Sequence, residues 1–141
     1  MNNNPFRYIF GCGEATQRLF HESKVKFGKI NNLFMTEISW DMIGGLPGFL
    51  LTSRDAGKKA LSVHGPSTLS DFFKSTQSFL SMQNLDLNCV QYSGEENEKF
   101  EDENIIVWPI CVQGIYIYCH LIVLSTFKLL SIVDQLGLRK L

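Results

Sequence analysis

The segment from Asn31 to Gly48, NNLFMTEISWDMIGGLPG, limits what this chain can fold into more than any other. Leu33, Phe34 and Met35 form an apolar run too short for a helix of its own, which suits a strand covered on both faces. Thr36, Glu37, Ser39 and Asp41 follow at once. Polar side chains at the carboxyl end of a buried strand lie where α/β folds place their chemistry. Gly44, Gly45 and Gly48 let backbone come close, and Leu46, Phe49, Leu50 and Leu51 give a following helix an apolar face. Pro47 suits the first turn of that helix.

The same strand–turn–helix grammar recurs along the chain. Phe6–Phe10 reads as a strand by its aromatic and β-branched content. Gly11-Cys12-Gly13 makes a tight turn, and Glu14–Glu22 a short helix with Leu19 and Phe20 turned inward. Lys24–Lys29 is a basic connector before the central strand, Ile30–Ile38. Thr52–Lys59 is a polar connector in which Gly57 stops the preceding helix. Ala60–His64 is a strand closed by Gly65-Pro66. Ser67–Met82 is amphipathic, with Leu69, Phe72, Phe73, Thr76, Phe79 and Leu80 on its inner face. Ser67 or Thr68 is its expected cap, and Asp71 complements its dipole. Leu85–Tyr92 alternates as a strand with one partly exposed face. Ser93–Asn104 is an acidic, solvated loop without the spacing of a calcium-binding loop. Ile105–Ile110 is a buried strand, with Pro109 expected at its end or at an edge.

Bulk properties narrow the function. The 141 residues suffice for one domain, and the composition is that of a globular protein. A net charge of −1 argues against a strong electrostatic grip on nucleic acid by this chain alone, and the mild basic cluster from Arg18 to Lys29 reads as a solvated helix end. Cys12, Cys89, Cys111 and Cys119 lie far apart, as reduced cysteines of an intracellular protein do. The polar start, Met1-Asn2-Asn3-Asn4-Pro5, is no secretory signal. Ser39, Asp41 and His64 hold the residue types of a hydrolase triad, but the nucleophile elbow is missing. His64 reads better as a lone turn histidine.

The tail from Ile115 to Val133 has two readings. One is a membrane-spanning helix, opposed by Lys128 and His120 inside the span. The preferred one is a strand, Ile115–Val123, followed by a helix, Thr126–Leu136, with Phe127, Leu130, Val133 and Leu136 on one face.

Two motifs carry a family resemblance. Phe34 through Leu46 is similar to the metallo-β-lactamase signature Phe–Ile/Leu–Ser/Thr–His–x–His–x–Asp–His–x–x–Gly–Leu, whose three histidines and aspartate hold two zinc ions. Here Glu37, Ser39 and Met42 stand at the histidine positions, and only Asp41 is kept. Gly11-Cys12-Gly13-Glu14-Ala15-Thr16-Gln17 resembles the Asn/Asp–Cys–Gly–Glu–Gly–Thr–Gln of the same family, departing at Gly11 and Ala15. Together with Gly44-Gly45-Leu46-Pro47-Gly48, they resemble the amino-terminal half of long-form ribonuclease Z, the ELAC-type zinc phosphodiesterases. The resemblance runs from about Pro5 to about Ile110 and ends beyond Val112. Gln113 falls roughly where active members place a further zinc-binding histidine.

The resemblance implies an α/β (α+β) fold: a partial metallo-β-lactamase-like αββα half-sandwich, a mixed β-sheet with helices packed on it. It implies a domain over residues 1–112, truncated at both ends and missing an opening hairpin, with a divergent apolar tail over 113–141. The implied function is a portion of a tRNA 3′-processing endoribonuclease, the lobe that does not cut. No catalytic or metal-holding residue is then expected in this chain, Glu37, Ser39, Asp41 and Met42 being degenerate positions. Gly11, Cys12, Gly13, Glu14, Thr16, Gln17, Gly44, Gly45 and Leu46 would be structural. Zinc would belong to the catalytic half, which would be the partner, with precursor tRNA a partner only indirectly, in nucleus and mitochondrion. The alternative is a non-enzymatic interaction domain attached to a membrane through residues 115–133.

Overall fold

The computed structural model describes residues 7–80, 83–95, 97–102, 105–112 and 117–124. Their order is β1 (Arg7–Phe10), α1 (Thr16–Glu22), a 3-10 turn (Phe27–Lys29), β2 (Ile30–Phe34), α2 (Trp40–Ile43), α3 (Leu46–Asp55), β3 (Ala60–Pro66), α4 (Leu69–Thr76), β4 (Asp86–Tyr92), β5 (Phe100–Glu101), β6 (Ile105–Val112) and β7 (Ile117–Leu124). Strands β1 to β4 form a parallel sheet in that spatial order, and β5, β6 and β7 form a second, antiparallel sheet. The expected fold class holds, with the parallel and antiparallel pairings separated into two sheets rather than mixed in one.

Period-two alternation sorts the parallel sheet into two faces. Odd-numbered Ile9, Leu33, Leu61, Val63 and Leu85 face the helices and bury against Leu46, Phe49, Leu50 and Leu69. Even-numbered Phe34 and Tyr8 face the second sheet, where Ile105, Val107 and Phe100 pack on them. Strand β2 is therefore covered on both sides, with Leu33 and Phe34 both fully buried. Phe20, Phe27 and Phe49 meet at centroid distances of 5.2–5.9 Å and fasten α1 and the 3-10 turn onto α3.

Several boundaries differ from the sequence reading. Strand β2 ends at Phe34, and Met35 still donates its N–H to the His64 carbonyl of β3 (2.8 Å) before the chain turns. The segment Thr52–Asp55 is the last turn of α3 and not connector; Gly57 follows as the stop, with φ +82°. Leu19 is exposed, since α1 buries no residue fully, and only Phe20 of the expected pair turns inward. The expected stripe holds for Leu69, Phe72, Phe73 and Thr76 of α4 and for Leu80 beyond it, but the helix ends at Thr76 and Phe79 is exposed. Thr68 is the N-cap, yet its side chain makes no capping bond; its carbonyl accepts from Asp71 and Phe72 instead.

His64 is not in a turn. Strand β3 continues through Gly65 to Pro66, paired with Gln91 and Tyr92. The acidic segment is not all loop: Phe100 and Glu101 pair with Val107 and Ile106. Pro109 lies inside β6, opposite His120 of β7, and not at its end. It is tolerated because β5 covers only Ile106 and Val107, so Pro109 faces no ladder on that side among the described residues. The chain at Ile117–Leu124 is a strand, as preferred, and not part of a spanning helix; no helix among the described residues is long and apolar enough to cross a membrane. The expected helix Thr126–Leu136 and Gln113 lie outside the described residues.

Ser53 is fully buried on α3, and its hydroxyl finds no hydrogen-bond partner among the described residues. Leaving a buried hydroxyl unpaired costs about 1–3 kcal/mol. Ser53→Ala is therefore expected to leave stability unchanged or to raise it by about 1 kcal/mol, read from the denaturant midpoint. A clear loss of stability would contradict this account of the α3 core.

Candidate functional site

The loop between β2 and α3 and the loop between β1 and α1 meet at the carboxyl end of the parallel sheet. Gly11 donates its N–H to the Phe34 carbonyl (2.8 Å), which continues the β1–β2 pairing into the turn. Cys12 donates to Met42 O (2.6 Å), and Gly45 donates back to Cys12 O (2.8 Å). The Gly13 carbonyl accepts from Thr16 N (3.2 Å) and Thr16 Oγ1 (2.7 Å), starting α1. These contacts leave no room for side chains. A Cβ on Gly45 would penetrate the Gly13 carbonyl and sit 3.1 Å from Cys12 O, and one on Gly13 would lie 2.6 Å from the Asp41 carbonyl oxygen. Cys12 is sealed between the loops, and burial pushes its thiol up to about 12. That is a packed cysteine, not a nucleophile.

Each residue of the two motifs now has a place. Gly11, Cys12, Gly13, Thr16, Gly44 and Gly45 form or adjoin the junction. Leu46 is fully buried at the start of α3. Gln17 lies across Gly48, where a Cβ would fall 2.6 Å from its Oε1. Glu14 is exposed on the wall of a groove of about 540 Å3 between α1 and α3, whose other walls include Arg18, His21, Phe27 and Gly48. The short helix α2, not foreseen from the sequence, carries Asp41 and Met42 and ends on Gly44, which bonds to Trp40 O (2.8 Å).

The positions that hold zinc in the signature do something else here. Ser39 Oγ donates to Glu37 Oε1 (2.7 Å), so those two side chains satisfy each other. Met42 is half-buried against Gly11, its sulfur 2.5 Å from where a Cβ would stand. Asp41 is exposed. Serine and thioether are poor ligands for zinc, and the two carboxylates, Glu37 accepting from Ser39 and Asp41 exposed, cannot replace three imidazoles and an aspartate. This donor set does not fit a zinc pair, and among the described residues no three His, Cys, Asp or Glu side chains converge to hold a metal. Trp40 does not fill the cleft: it is 71% exposed, because α2 turns it over Gly44 and outward. The triad fails on geometry, since His64 is buried on the opposite side of the strand layer among Phe34, Tyr92 and Phe100, while Ser39 is paired to Glu37.

The fold and the altered signature loop define a metallo-β-lactamase-type domain. Comparison with known proteins narrows this. The tRNase Z endonuclease family model matches residues 1–45. The chain is 41% identical over 96 residues to the mitochondrial ribonuclease Z of Drosophila melanogaster, covering 68% of this chain and 12% of that protein. It is 33% identical over 109 residues to human zinc phosphodiesterase ELAC protein 2, covering 77% of this chain and 13% of that protein. The structure superimposes on a long-form RNase Z from yeast with a TM-score of 0.67 at 31% identity, over 77% of this chain and 14% of that one. The chain thus spans about an eighth of the length of the relatives it matches. By sequence and by fold it is ribonuclease Z-like, of the metallo-β-lactamase superfamily.

Two substitutions test the junction. Gly45→Ala must separate the two loops, and overpacking of this kind is expected to cost about 3 kcal/mol or more, read by thermal or denaturant unfolding. Ala15, where the family has glycine, is held at φ +67°. A left-handed conformation costs an L-residue about 1–2 kcal/mol, so Ala15→Gly is expected to stabilise the fold by about 1 kcal/mol. Destabilisation by that substitution would contradict the turn geometry.

Proposed function

We propose that this chain is the non-catalytic lobe of a tRNA 3′-processing endoribonuclease of the ribonuclease Z type. The observation that carries the reading is a division within one loop. The backbone junction that braces the signature loop is complete, while the ligand positions inside it are Glu37, Ser39 and Met42 beside a lone exposed Asp41. Zinc hydrolysis of a phosphodiester needs a metal-activated water and a second metal against the leaving oxygen, and these residues assemble neither.

In this reading the chain has no catalytic residue, and Gly11, Cys12, Gly13, Glu14, Thr16, Gln17, Gly44, Gly45 and Leu46 keep the shape of the loop. Its partner is a catalytic half that supplies zinc and cuts the 3′ trailer from precursor tRNA, and the lobe acts by support and by presenting that substrate. Residues 1–112 are the ribonuclease Z-like unit and 113–141 the divergent tail. The mitochondrial relative supports work in the mitochondrion, and we extend the same role to the nucleus.

Precursor-tRNA cleavage with added zinc tests the proposal, using the chain alone and with a catalytic half supplied separately. The chain alone is expected to give no trailer release, and its addition is expected to raise the activity or stability of the catalytic half. Zinc-dependent cleavage by the chain alone, abolished by Asp41→Ala, would overturn it.

A further inference from the structure

We propose that Ser93 is the acceptor for an acid-directed serine kinase, and that its phosphate evicts Glu98 from the loop between β4 and β5. Ser93 is the first residue after β4 and is exposed, while Tyr92 before it is buried. Glu95 and Glu96 follow it at the second and third positions, and Glu98 at the fifth. Among all serines and threonines of the chain, Ser93 alone has carboxylates at both the second and the third following positions. Kinases that choose acidic substrates line their cleft with Lys and Arg, which pair with carboxylates placed after the acceptor. Glu95 is exposed to such a cleft. Lys99, the only cation from Ser93 to Asn104, pairs with Glu101 and does not mask the run.

The loop closes on one carboxylate. Glu98 Oε2 accepts the N–H groups of Ser93 (2.8 Å), Gly94 (2.8 Å) and Glu95 (3.3 Å), and Oε1 accepts from Ser93 Oγ (3.0 Å). Gly94, at φ +87°, turns these successive N–H groups toward one point, a geometry that suits an anion. Glu98 N in turn donates to the Glu95 carbonyl (3.1 Å). Burial pushes the Glu98 carboxyl up, but the bonds from Gly94, Ser93 and Glu95 outweigh it and hold the group below the usual range. Glu98 is therefore a full negative charge at neutral pH.

In the transfer, Ser93 Oγ attacks the terminal phosphorus of a nucleoside triphosphate. The bond from that phosphorus to the bridging oxygen breaks, the nucleoside diphosphate leaves, and the hydroxyl proton passes to the kinase's base. The product carries a charge of about −1.5 to −2 at pH 7 and three acceptor oxygens where a donor stood. The bond from Ser93 Oγ to Glu98 becomes a repulsion between two anions. The N–H groups that now hold Glu98 favour the more highly charged of the two. Glu98 moves into solvent, and the loop that joins the two sheets loses its closure.

Incubating the chain with ATP and an acid-directed serine/threonine kinase tests this, with a kinase directed by basic residues as the control. One phosphate is expected, located at Ser93 by fragment mass spectrometry of the unsubstituted chain, and none at Ser93 with the control kinase. Replacing both Glu95 and Glu96 by Gln is expected to slow incorporation by about tenfold, as the loss of charge-assisted pairs does. In the modified chain the amide resonances of Ser93, Gly94 and Glu95 are expected to move. The Glu98 carboxyl carbon is expected to titrate at higher pH than before. No phosphate on Ser93, or equal incorporation there by both kinases, would overturn the acceptor assignment. Phosphate on Ser93 with Glu98 titrating as before would overturn the eviction.

Discussion

The structure depends on one backbone-to-backbone junction. Cys12 N–H to Met42 O and Gly45 N–H to Cys12 O join two loops that are thirty residues apart in sequence. The approach is so close that glycine is the only residue that fits on either side of it. Everything at the carboxyl end of the parallel sheet is positioned from here: the start of α1, the short helix α2, and the entry to α3. A junction made of main chain does not draw on the side chains at the ligand positions, Glu37, Ser39, Asp41 and Met42. That explains how a signature loop keeps its course after its ligand positions have changed.

The parallel sheet supplies the rigid base for that junction. Its odd-numbered face packs on helices and its even-numbered face on a second sheet, so β2 is enclosed on both sides and its register cannot slip without exposing Leu33 or Phe34. The same enclosure determines what the polar residues do. Those that leave the sheet at its carboxyl end, Glu37, Ser39 and Asp41, reach solvent or each other. Those within it, Asn32, His64 and Tyr92, are joined by hydrogen bonds through the His64 ring.

Much of the fold was legible because it rests on local signals. The run Leu33–Met35, the glycine pairs, and the phenylalanine spacing of α4 each follow from periodicity or backbone freedom. The family motifs were legible for the same reason, since they are short and contiguous. What was not legible is long-range. Nothing local shows that β3 continues through Gly65 and Pro66, because pairing with Gln91 and Tyr92 decides it. Pro109 in a strand interior depends on how short β5 is. The inner polar set of Asn32, His64 and Tyr92 spans three strands; shared even-numbered parity was the one available signal. Helix α2 was missed because four residues carry no period, and the outward turn of Trp40 depends on its packing over Gly44.

The central claim is that a metallo-β-lactamase-type loop keeps its bracing while its zinc cradle has been vacated. A competitive zinc titration of the purified chain against a chromophoric chelator measures this most directly, with Asp41→Ala as the control. The account predicts no tight stoichiometric zinc and no difference between the two proteins. Two equivalents of tightly bound zinc, lost on replacing Asp41, would contradict it.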